Sequence, residues 1–289
     1  MSKYPKEGRK VRTLPPMSYV IPYIMKTRNT ASNLINDSID IEKAEAYIRK
    51  KRREGLTNFG MLHLILTAYA RTVSQRPGIN RFIRGQRIFS RDGNIEVMMT
   101  IKKEMNLESP DTCLKFYMTP EDTAETVYRN FTKLVEENKA ESGNGESAFD
   151  SLARILTYIP GILLRGTVGL LRFMDHFGLL PRILTHLSPF HGSLAITSMG
   201  SLGIPPIFHH LYDFGNIPIF IAYGAKRKVN EITKSGEVVT KKYVDISVVT
   251  DERICDGYYF ASALKMLKAI LDDPDQLDNP PENIIKDIR

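Results

Sequence analysis

Two short stretches of the chain contain residue types that support proton-transfer chemistry. One, TDERICDG, includes Glu252 and Asp256, and the other, PPIFHHLYDFG, includes the neighbours His209 and His210. A carboxylate or an imidazole can take the proton of an attacking hydroxyl or thiol group. Because an ordinary Glu titrates near pH 4.3 and an ordinary His near pH 6.5, Glu252 would need burial to act as a base at neutral pH.

The same stretches also permit other chemistry, which the sequence favours less. Neighbouring histidines on an extended segment point to opposite sides, so His209 and His210 are a poor start for a metal site, and no metal is expected. Cys255 follows Glu252 by three residues, but a core cysteine is the favoured interpretation over a nucleophile. The only other cysteine is Cys113, which excludes a disulfide framework and favours two buried thiols in a reducing compartment.

The composition indicates a globular protein with a modest affinity for anions. The chain has 289 residues, of which 42% are hydrophobic, enough for one large domain or two small ones. Its net charge of +7 is spread along the sequence and suits coenzyme phosphates as well as nucleic acid. The most basic run, IRKKRRE, lacks interleaved aromatic residues and is interpreted as a solvated helix face, so no nucleic-acid partner is expected.

A long apolar segment between residues 152 and 184 raises the question of a membrane. It is interrupted by two prolines and by the charged residues Arg154, Arg165, Arg172, Asp175 and Arg182. No span of about 20 apolar residues remains, so a transmembrane helix is not expected. Amphipathic turns of this kind could lie on a membrane surface or line a pocket for a long acyl chain, but burial against the sheet or a partner subunit is favoured. The N-terminus lacks the apolar run of a signal peptide, so a cytoplasmic location is expected.

Hydrophobic periodicity and turn residues predict helices and strands in the first half of the chain. A charged surface helix follows a short strand and begins near Asp40, and a second helix, over residues 60–75, is expected to bury one side. The Arg91–Asp92–Gly93 turn predicts a β-hairpin. A strand over 112–118 follows, and Thr119 is expected to cap the next helix. The buried face of that helix is expected to consist of Ala124, Val127, Phe131 and Leu134.

Strands dominate the prediction for the second half, after a flexible loop with the sequence AESGNGES. They cover residues 193–199, 217–223, 226–232 and 237–249, and a helix over 258–271 follows. Helices followed by a cluster of strands predict an α+β fold, in which helices cover one mixed β-sheet in a two-layer sandwich. The expected boundaries are an N-terminal arm at 1–29, a domain at 30–271 and a C-terminal tail at 272–289.

Three segments, taken in order, carry a family resemblance. AYARTVSQRPGINRFIRGQRIFSRDGNIEVMMTI contains a helix, a Pro-x-x-Asn turn and two strands, SLAITSMGSLGI is a strand and turn, and ISVVTDERICDG is a strand and loop. They resemble segments of the chloramphenicol acetyltransferase superfamily, which includes the catalytic core of 2-oxo acid dehydrogenase acyltransferases. The family's loop has the form D-H-R-x-x-D-G, so Glu252 stands where the family has histidine.

The resemblance implies both an assembly and an activity. Members of the family form trimers with active sites in tunnels between subunits, where acyl-coenzyme A or an acylated lipoyl arm meets the acceptor. The loop's histidine is their general base, a hydroxyl on the middle segment helps to hold the oxyanion, and the loop's last aspartate pairs with an arginine. Carried over to this sequence, these positions are Glu252, Thr197 and Asp256. The candidate arginines are Arg9, Arg12 and Arg28.

Two hypotheses follow from the exchange of histidine for Glu252. The favoured one is a divergent superfamily member without the usual base, which acts as a non-catalytic or weakly active acyl-CoA-binding or assembly module. Glu252 would then be a structural carboxylate, paired with Arg253 or with an arginine of a neighbouring subunit. The alternative is an active acyltransferase in which Glu252, His209 or His210 serves as the base. No Ala/Pro-rich linker to a lipoyl domain is found, so a complete dehydrogenase-complex component is not expected.

Overall fold

The computed structural model describes residues 7–102, 111–141, 154 and 157–289, and its centre is a six-stranded sheet. The strands are β2 (Ser32–Asp40), β5 (Ile95–Lys102), β6 (Asp111–Met118), β7 (Leu194–Ser198), β8 (Ile219–Ile232) and β9 (Val238–Asp251). Their order across the sheet is β2-β9-β8-β7-β5-β6. β7 runs parallel to both β5 and β8, whereas the other neighbours are antiparallel. The predicted mixed sheet is therefore confirmed.

A second, three-stranded sheet explains why the predicted hairpin does not form. It consists, in the order β1-β4-β3, of β1 (Arg9–Lys10), β3 (Arg81–Arg84) and β4 (Arg87–Ser90). The Arg91–Asp92–Gly93 turn connects β4 to β5, which lie in different sheets, so the predicted hairpin is wrong. The Asn80 side-chain amide donates to the carbonyl oxygens of Asp92 (3.1 Å) and Asn94 (2.9 Å) and holds the chain in this crossing between sheets.

Four helices cover one face of the six-stranded sheet. They are α2 (Glu42–Arg53), α3 (Met61–Gln75), α4 (Ala124–Glu141) and α7 (Gly257–Asp272). One apolar cluster joins them to the sheet, for example through Leu66 of α3, Val127 of α4, Leu267 of α7 and Ile196 of β7. Burial of each large apolar side chain contributes about 1.5–3 kcal/mol before the conformational entropy lost on folding is subtracted. The predicted α+β two-layer sandwich is confirmed.

Helix α3 is more central than its sequence pattern predicts. One buried side is expected, but every residue from His63 to Ser74 is buried. The reason is that α2, α4 and α7 all contact α3, while the sheet lies beneath it. The flanking helices therefore cover the sides of α3 that a two-layer surface helix would expose.

Helix α4 begins later than predicted. Thr119 is not its cap: it forms a turn in which its N–H donates to Asp122 Oδ2 (2.6 Å). The cap is Thr123, whose hydroxyl accepts a hydrogen bond from the N–H of Thr126 (3.3 Å), while the Thr126 hydroxyl accepts one from the N–H of Thr123 (2.8 Å). The predicted inner face is confirmed. Ala124, Val127 and Phe131 are buried, and Leu134 packs against the same cluster.

The predicted strands of the second half are confirmed with one change. Residues 217–223 and 226–232 form a single strand, β8, with an irregularity in its pairing to β9 between Tyr223 and Lys226. A local break in register of this kind is typical of a β-bulge, which keeps one strand continuous while it bends. The predicted loop AESGNGES lies, from residue 142 onward, outside the described residues.

The C-terminal tail packs against the helical layer and neutralises part of the basic run in α2. Lys50 Nζ lies 2.6 Å from Asp275 Oδ1, and Lys51 Nζ lies 2.6 Å from Asp278 Oδ1. Further along, the Ile285 N–H donates to the Ser74 carbonyl (2.8 Å). The lysines of the IRKKRRE run are therefore engaged within the fold, so this helix face presents less net positive charge than the sequence suggests.

Helix α5 (Gly161–Phe177) lies on the outside of the fold with no buried residue. Burial of this segment against the sheet or a partner subunit is predicted. Within one chain α5 is not buried against the main sheet, because it contacts β3 of the smaller sheet, and its burial against a partner subunit stays a prediction. Two shorter helices, α1 (Pro16–Ile24) and α6 (Arg182–Leu187), also lie outside the main helical layer, and α1 contacts β4. In the part of the chain that the structure describes, no helix is both long and apolar enough to cross a bilayer.

A buried carboxylate ties the N-terminal arm to the smaller sheet. Glu7 is 6% exposed and forms ion pairs with Arg84 and, at 3.6 Å, with Arg91, while the Asn216 side-chain amide donates to it. Burial by itself would raise the pKa of Glu7, but the charges of Arg91 and Arg84 outweigh it and bring the pKa to about 2. Glu7 is therefore ionised in the folded protein at neutral pH.

Candidate functional site

The loop that resembles the family's signature is held by an ion pair within itself. Asp251 ends β9 and is fully buried. Arg253 binds it in a bidentate manner, with Nε 2.8 Å from Oδ1 and Nη2 2.7 Å from Oδ2, and also donates to the carbonyl of Met25 (3.0 Å). Arg253 is thus bound to Asp251, so the ion pair expected between Glu252 and Arg253 is not formed in the part of the chain described.

Glu252 occupies the sequence position expected of a base but does not line the cavity that contains Thr197. Its side chain is half-buried, and its N–H donates to the carbonyl of Ala31 (2.9 Å), which fixes the loop beside the N-terminal arm. The cavity of about 420 Å³ described below is lined by other residues and not by Glu252. Because a carboxylate needs a desolvated site to become a useful base at neutral pH, this placement favours a structural role.

Asp256 caps helix α7. Its Oδ1 accepts a hydrogen bond from the N–H of Tyr259 (2.8 Å), three residues on, as the N-cap of the helix. The predicted arginine partners are engaged elsewhere: Arg9 pairs with Asp92 (2.9 Å) and Arg28 binds backbone carbonyl groups. The described residues place none of the candidate arginines, Arg9, Arg12 and Arg28, against Asp256.

The capping role of Asp256 leads to a stability prediction. Asp256→Ala is expected to lower the free energy of unfolding by about 1 kcal/mol, because one N–H at the start of α7 loses its acceptor. Asp256→Ser, which keeps an acceptor but no charge, should retain most of the stability. Urea unfolding of the two variants is the measurement. Equal losses in both would show that the charge matters and that an ion pair, not a cap, is the role of Asp256.

The side chains of β7 divide between the two faces of the sheet. Leu194 and Ile196 belong to the core under the helices, whereas Ala195 packs with Met98 on the opposite face. The alternation of a β-strand places Thr197 on that opposite face as well. A cavity of about 420 Å³ lies there. Its lining includes Met98, Cys113, Phe190, Ala195, Thr197, His209, His210, Leu211, Tyr212 and Phe220.

His209 presents the most reactive group in this cavity. Its ring stacks on Phe220, with ring centroids 4.2 Å apart and planes inclined by 13°. Its Nε2 is buried and has no hydrogen-bond partner among the described residues. Burial, and then the charge of His210, lower the pKa of His209. Burial therefore favours the neutral imidazole, and in the tautomer that carries its proton on Nδ1, the Nε2 atom is a proton acceptor.

His210 differs from its neighbour. It is exposed, and its ring meets Tyr212 edge to face, with centroids 4.9 Å apart. The two rings thus differ in burial, although both belong to the lining of the cavity. Within the residues described, no group of three or more His, Cys, Asp or Glu side chains is placed to hold a metal ion.

The loop that carries both histidines is anchored from the N-terminal arm. Arg28 is buried, and its Nη1 donates to the carbonyls of Tyr212 and Asp213 (3.1 Å each), while its Nη2 donates to that of Gly215. Burial lowers the pKa of Arg28 to about 10, partly offset by the charge of Asp251. Arg28 is therefore charged at neutral pH, and its hydrogen bonds fix the chain two to five residues after His210.

The structure thus brings together some of the predicted site residues and separates the others. Thr197, His209 and His210 line one cavity, whereas Glu252 and Asp256 lie outside it. Sequence reasoning missed the aromatic wall formed by Phe220 and Phe190. A weak signal exists in the strand IPIFIAY, where Phe220 has the parity of a residue facing away from the core.

The α+β fold of this chain is similar to that of several solved acetyltransferases. Its overall arrangement is that of the catalytic cores of dihydrolipoamide acetyltransferases. The probable dihydrolipoamide acetyltransferase of Listeria monocytogenes superposes with a TM-score of 0.57 at 14% identity, over 92% of this chain and 95% of that one. The cubic core of a pyruvate dehydrogenase multienzyme complex gives 0.53 at 13% identity, over 93% and 94% of the two chains.

A third similar structure bears on the chemistry of the fold. The dihydrolipoamide acetyltransferase of Azotobacter vinelandii gives a TM-score of 0.53 at 14% identity, over 93% of this chain and 94% of that one. In that enzyme a serine, a histidine and an asparagine have been investigated for their role in the catalytic mechanism. No protein-family model and no curated protein sequence matches the chain. The predicted resemblance is therefore confirmed at the level of the fold.

Proposed function

We propose that this protein is a divergent acyltransferase that moves an acyl group from a thioester, acyl-coenzyme A or an acylated lipoyl arm, to a thiol, hydroxyl or amine. His209 is the general base, and the Thr197 hydroxyl helps to hold the oxyanion. The observation that carries the proposal is the buried, unpartnered Nε2 of His209 in a cavity shared with Thr197. Buried polar atoms in folded proteins nearly always have partners, so an exception in a cavity indicates a ligand group.

The chemical step assigns one task to each residue. His209 Nε2 takes the proton of the acceptor's hydroxyl or thiol group as the acceptor attacks the thioester carbonyl carbon. The carbonyl oxygen then carries a negative charge, which the Thr197 hydroxyl stabilises by donating a hydrogen bond. As the carbon–sulfur bond breaks, the proton on His209 passes to the leaving thiolate. The residue returns to its neutral form and the acyl group remains on the acceptor.

The cavity suits the thioester end of the donor better than its phosphates. A volume of about 420 Å³ and walls such as Met98, Phe190 and Phe220 fit a pantetheine or lipoyl arm with a short acyl group. The described part of the lining holds no Lys or Arg. The phosphates of coenzyme A would therefore lie outside this cavity, where the chain's excess of cations provides suitable surfaces.

Assembly into trimers belongs to the same proposal. The overall fold is shared with subunits of a cubic core, and the cavity lies on the sheet face that the helical layer leaves uncovered. A partner subunit on that face would close the cavity and exclude water from the thioester. Size-exclusion chromatography coupled to light scattering measures the mass of the protein in solution. The mass of a monomer or dimer would rule out the trimer.

A second candidate function is favoured by one specific observation. The position that resembles the family's catalytic histidine holds Glu252, which supports a non-catalytic or weakly active acyl-CoA-binding or assembly module. In that case the cavity would bind the donor without turning it over. The two functions differ in turnover and not in binding, so an assay of acyl transfer separates them.

The test incubates purified protein with acyl-coenzyme A donors of several lengths and a panel of thiol, hydroxyl and amine acceptors, and follows the released thiol. Glu252→Gln is expected to leave the rate nearly unchanged, because Glu252 does not line the cavity. Calorimetric binding of the donor without any turnover would establish the binding module instead. Acyl transfer by Glu252→His but not by the wild type would also establish the binding module, because the substitution would restore a base to an otherwise intact scaffold.

A further inference from the structure

Helix α5 carries an apolar stripe that nothing in the described structure covers. Leu163, Leu170 and Phe177 follow one another at intervals of seven residues, which places them on one side of the helix. Each is about 60% exposed, as the fractions of 60%, 59% and 60% show. A Cβ atom added at Gly166 or Gly169 would meet no atom within 4 Å. The exposed side of α5 is thus free of packing along its length.

Positive charge lies at the other edge of the exposed side of α5. Ile162 and Phe173, which are 83% and 56% exposed, lie between the stripe and two arginines, and the helix's one acidic residue is turned away from this side. Arg165 and Arg172 are exposed and also seven residues apart. Asp175 is half-buried, lies 3.1 Å from His191 Nε2 through its Oδ1, and accepts a hydrogen bond from the N–H of Gly215 (3.1 Å) through its Oδ2. Among the residues that the structure describes, the outward face of α5 is therefore apolar and cationic, with no compensating carboxylate.

Helix α1 provides a second surface of the same character near the first. Met17, Tyr23 and Ile24 are 61%, 57% and 68% exposed, and the residues from 16 to 26 include a lysine but no acid. α1 contacts β4 and α5 contacts β3, the paired neighbours in the smaller sheet. Lys26, just after α1, and Arg172 of α5 line one small cavity. The chain just after α1 and the second half of α5 thus border one cavity with a largely basic lining.

We infer that α5, with α1 beside it, binds the surface of an anionic lipid bilayer. The apolar stripe enters the boundary between headgroups and acyl chains, and Arg165 and Arg172 contact the lipid phosphates. Helices with an exposed apolar stripe and basic flanks lie in the membrane interface in this way. A second copy of the chain would offer a face of the same positive charge, whereas anionic headgroups offer the opposite charge. The complement of this face is a lipid surface.

The experiment is flotation of the purified full chain with vesicles of phosphatidylcholine, with and without phosphatidylserine. The protein should float with the anionic vesicles and stay behind with the neutral ones, and added salt should weaken binding. The double variant Arg165→Gln/Arg172→Gln is expected to weaken binding roughly 30-fold, since each basic residue near an anionic surface adds about fivefold in affinity. Leu170→Ser/Phe177→Ser should abolish it.

A matched control is the double variant Arg49→Gln/Arg53→Gln, which removes two exposed arginines of α2 and should bind like the wild type. Thermal melts of all variants confirm that they are folded. The inference is overturned if the wild type does not float, if it floats equally with neutral vesicles, or if both arginine pairs weaken binding alike. It is also overturned if light scattering shows an oligomer that Leu170→Ser/Phe177→Ser dissociates while flotation is absent.

Discussion

His209→Gln is expected to lower the rate constant for acyl transfer by about 10²–10⁴-fold, the usual contribution of a general base. Glutamine approximates the size of the imidazole and can stack on Phe220, so the cavity keeps its shape. It has no group that accepts a proton at neutral pH. The KM for the acyl donor should change little, because the substitution removes a proton acceptor and leaves the apolar walls in place.

The pH profile gives this prediction a second readout. A base works only when it is deprotonated, so kcat/KM should rise with pH through the pKa of His209 and then level off. Burial lowers the pKa of His209, and the midpoint of this rise should therefore lie below pH 6.5, the usual midpoint of histidine. In His209→Gln this limb of the profile should vanish. The experiment is a steady-state assay from pH 5 to pH 8, a range centred near the usual pKa of about 6.5.

His210→Gln is the matched control for His209→Gln. It lies on the same segment but is exposed, so its loss should leave the plateau rate nearly unchanged. Because the charge of His210 lowers the pKa of His209, its loss should move the rising limb of the pH profile slightly to higher pH without removing it. If His210→Gln removes activity and His209→Gln does not, the neighbouring imidazole is the base. If both variants remain active and Glu252→Gln is inactive, the carboxylate is the base and the assignment of His209 is wrong.

Glu7→Gln is expected to destabilise the fold at pH 7 by about 3 kcal/mol. The pKa of Glu7 falls from 4.5 to about 2 in the folded protein, and each pKa unit corresponds to about 1.4 kcal/mol. The substitution keeps the size of the side chain but removes the carboxylate that pairs with both Arg84 and Arg91, and Arg91 then keeps only Glu96, at 3.6 Å. Guanidinium chloride unfolding measures the loss.

The sign of the pH dependence follows from the lowered pKa. The stabilisation from Glu7 is fully present above pH 4.5 and is lost as the pH falls toward about 2, because the unfolded chain takes up the proton first. The wild type should therefore lose stability over this window more steeply than Glu7→Gln. The control is Glu125→Gln, which removes an exposed pair with Arg129 and should cost at most about 0.5 kcal/mol. Equal losses in the two variants would contradict the prediction.

Much of the fold could be predicted from local patterns. The positions of α2, α3, β6, β7 and α7 follow from hydrophobic periodicity and end signals, because those patterns record which side of an element is buried. The hairpin at Asp92 failed for a physical reason. A turn sequence fixes the local path of the backbone, but which strand pairs with which depends on distant partners such as β1 and β7. Local sequence does not contain those partners.

The candidate site was predictable only in part. Thr197 and the two histidines could be named from their segments, but their meeting in one cavity depends on β8, on the loop after β7 and on Arg28, which are far apart in sequence. The aspartate of the loop motif was found, yet its role differs, because a capping bond three residues away competes with any long-range ion pair. The lack of a hydrogen-bond partner for His209 Nε2 among the described residues results from packing, and the sequence contains no signal for it.

The anchoring of the histidine loop by Arg28 has a consequence for how this protein can change over evolution. The imidazole and the arginine that steadies its loop are separated by 181 positions, from 28 to 209. Recombination that replaced only the N-terminal coding region would separate Arg28 from the histidine loop. The two segments must therefore be inherited together. A graft of the histidine loop onto another protein would keep its conformation only if an arginine equivalent to Arg28 were included.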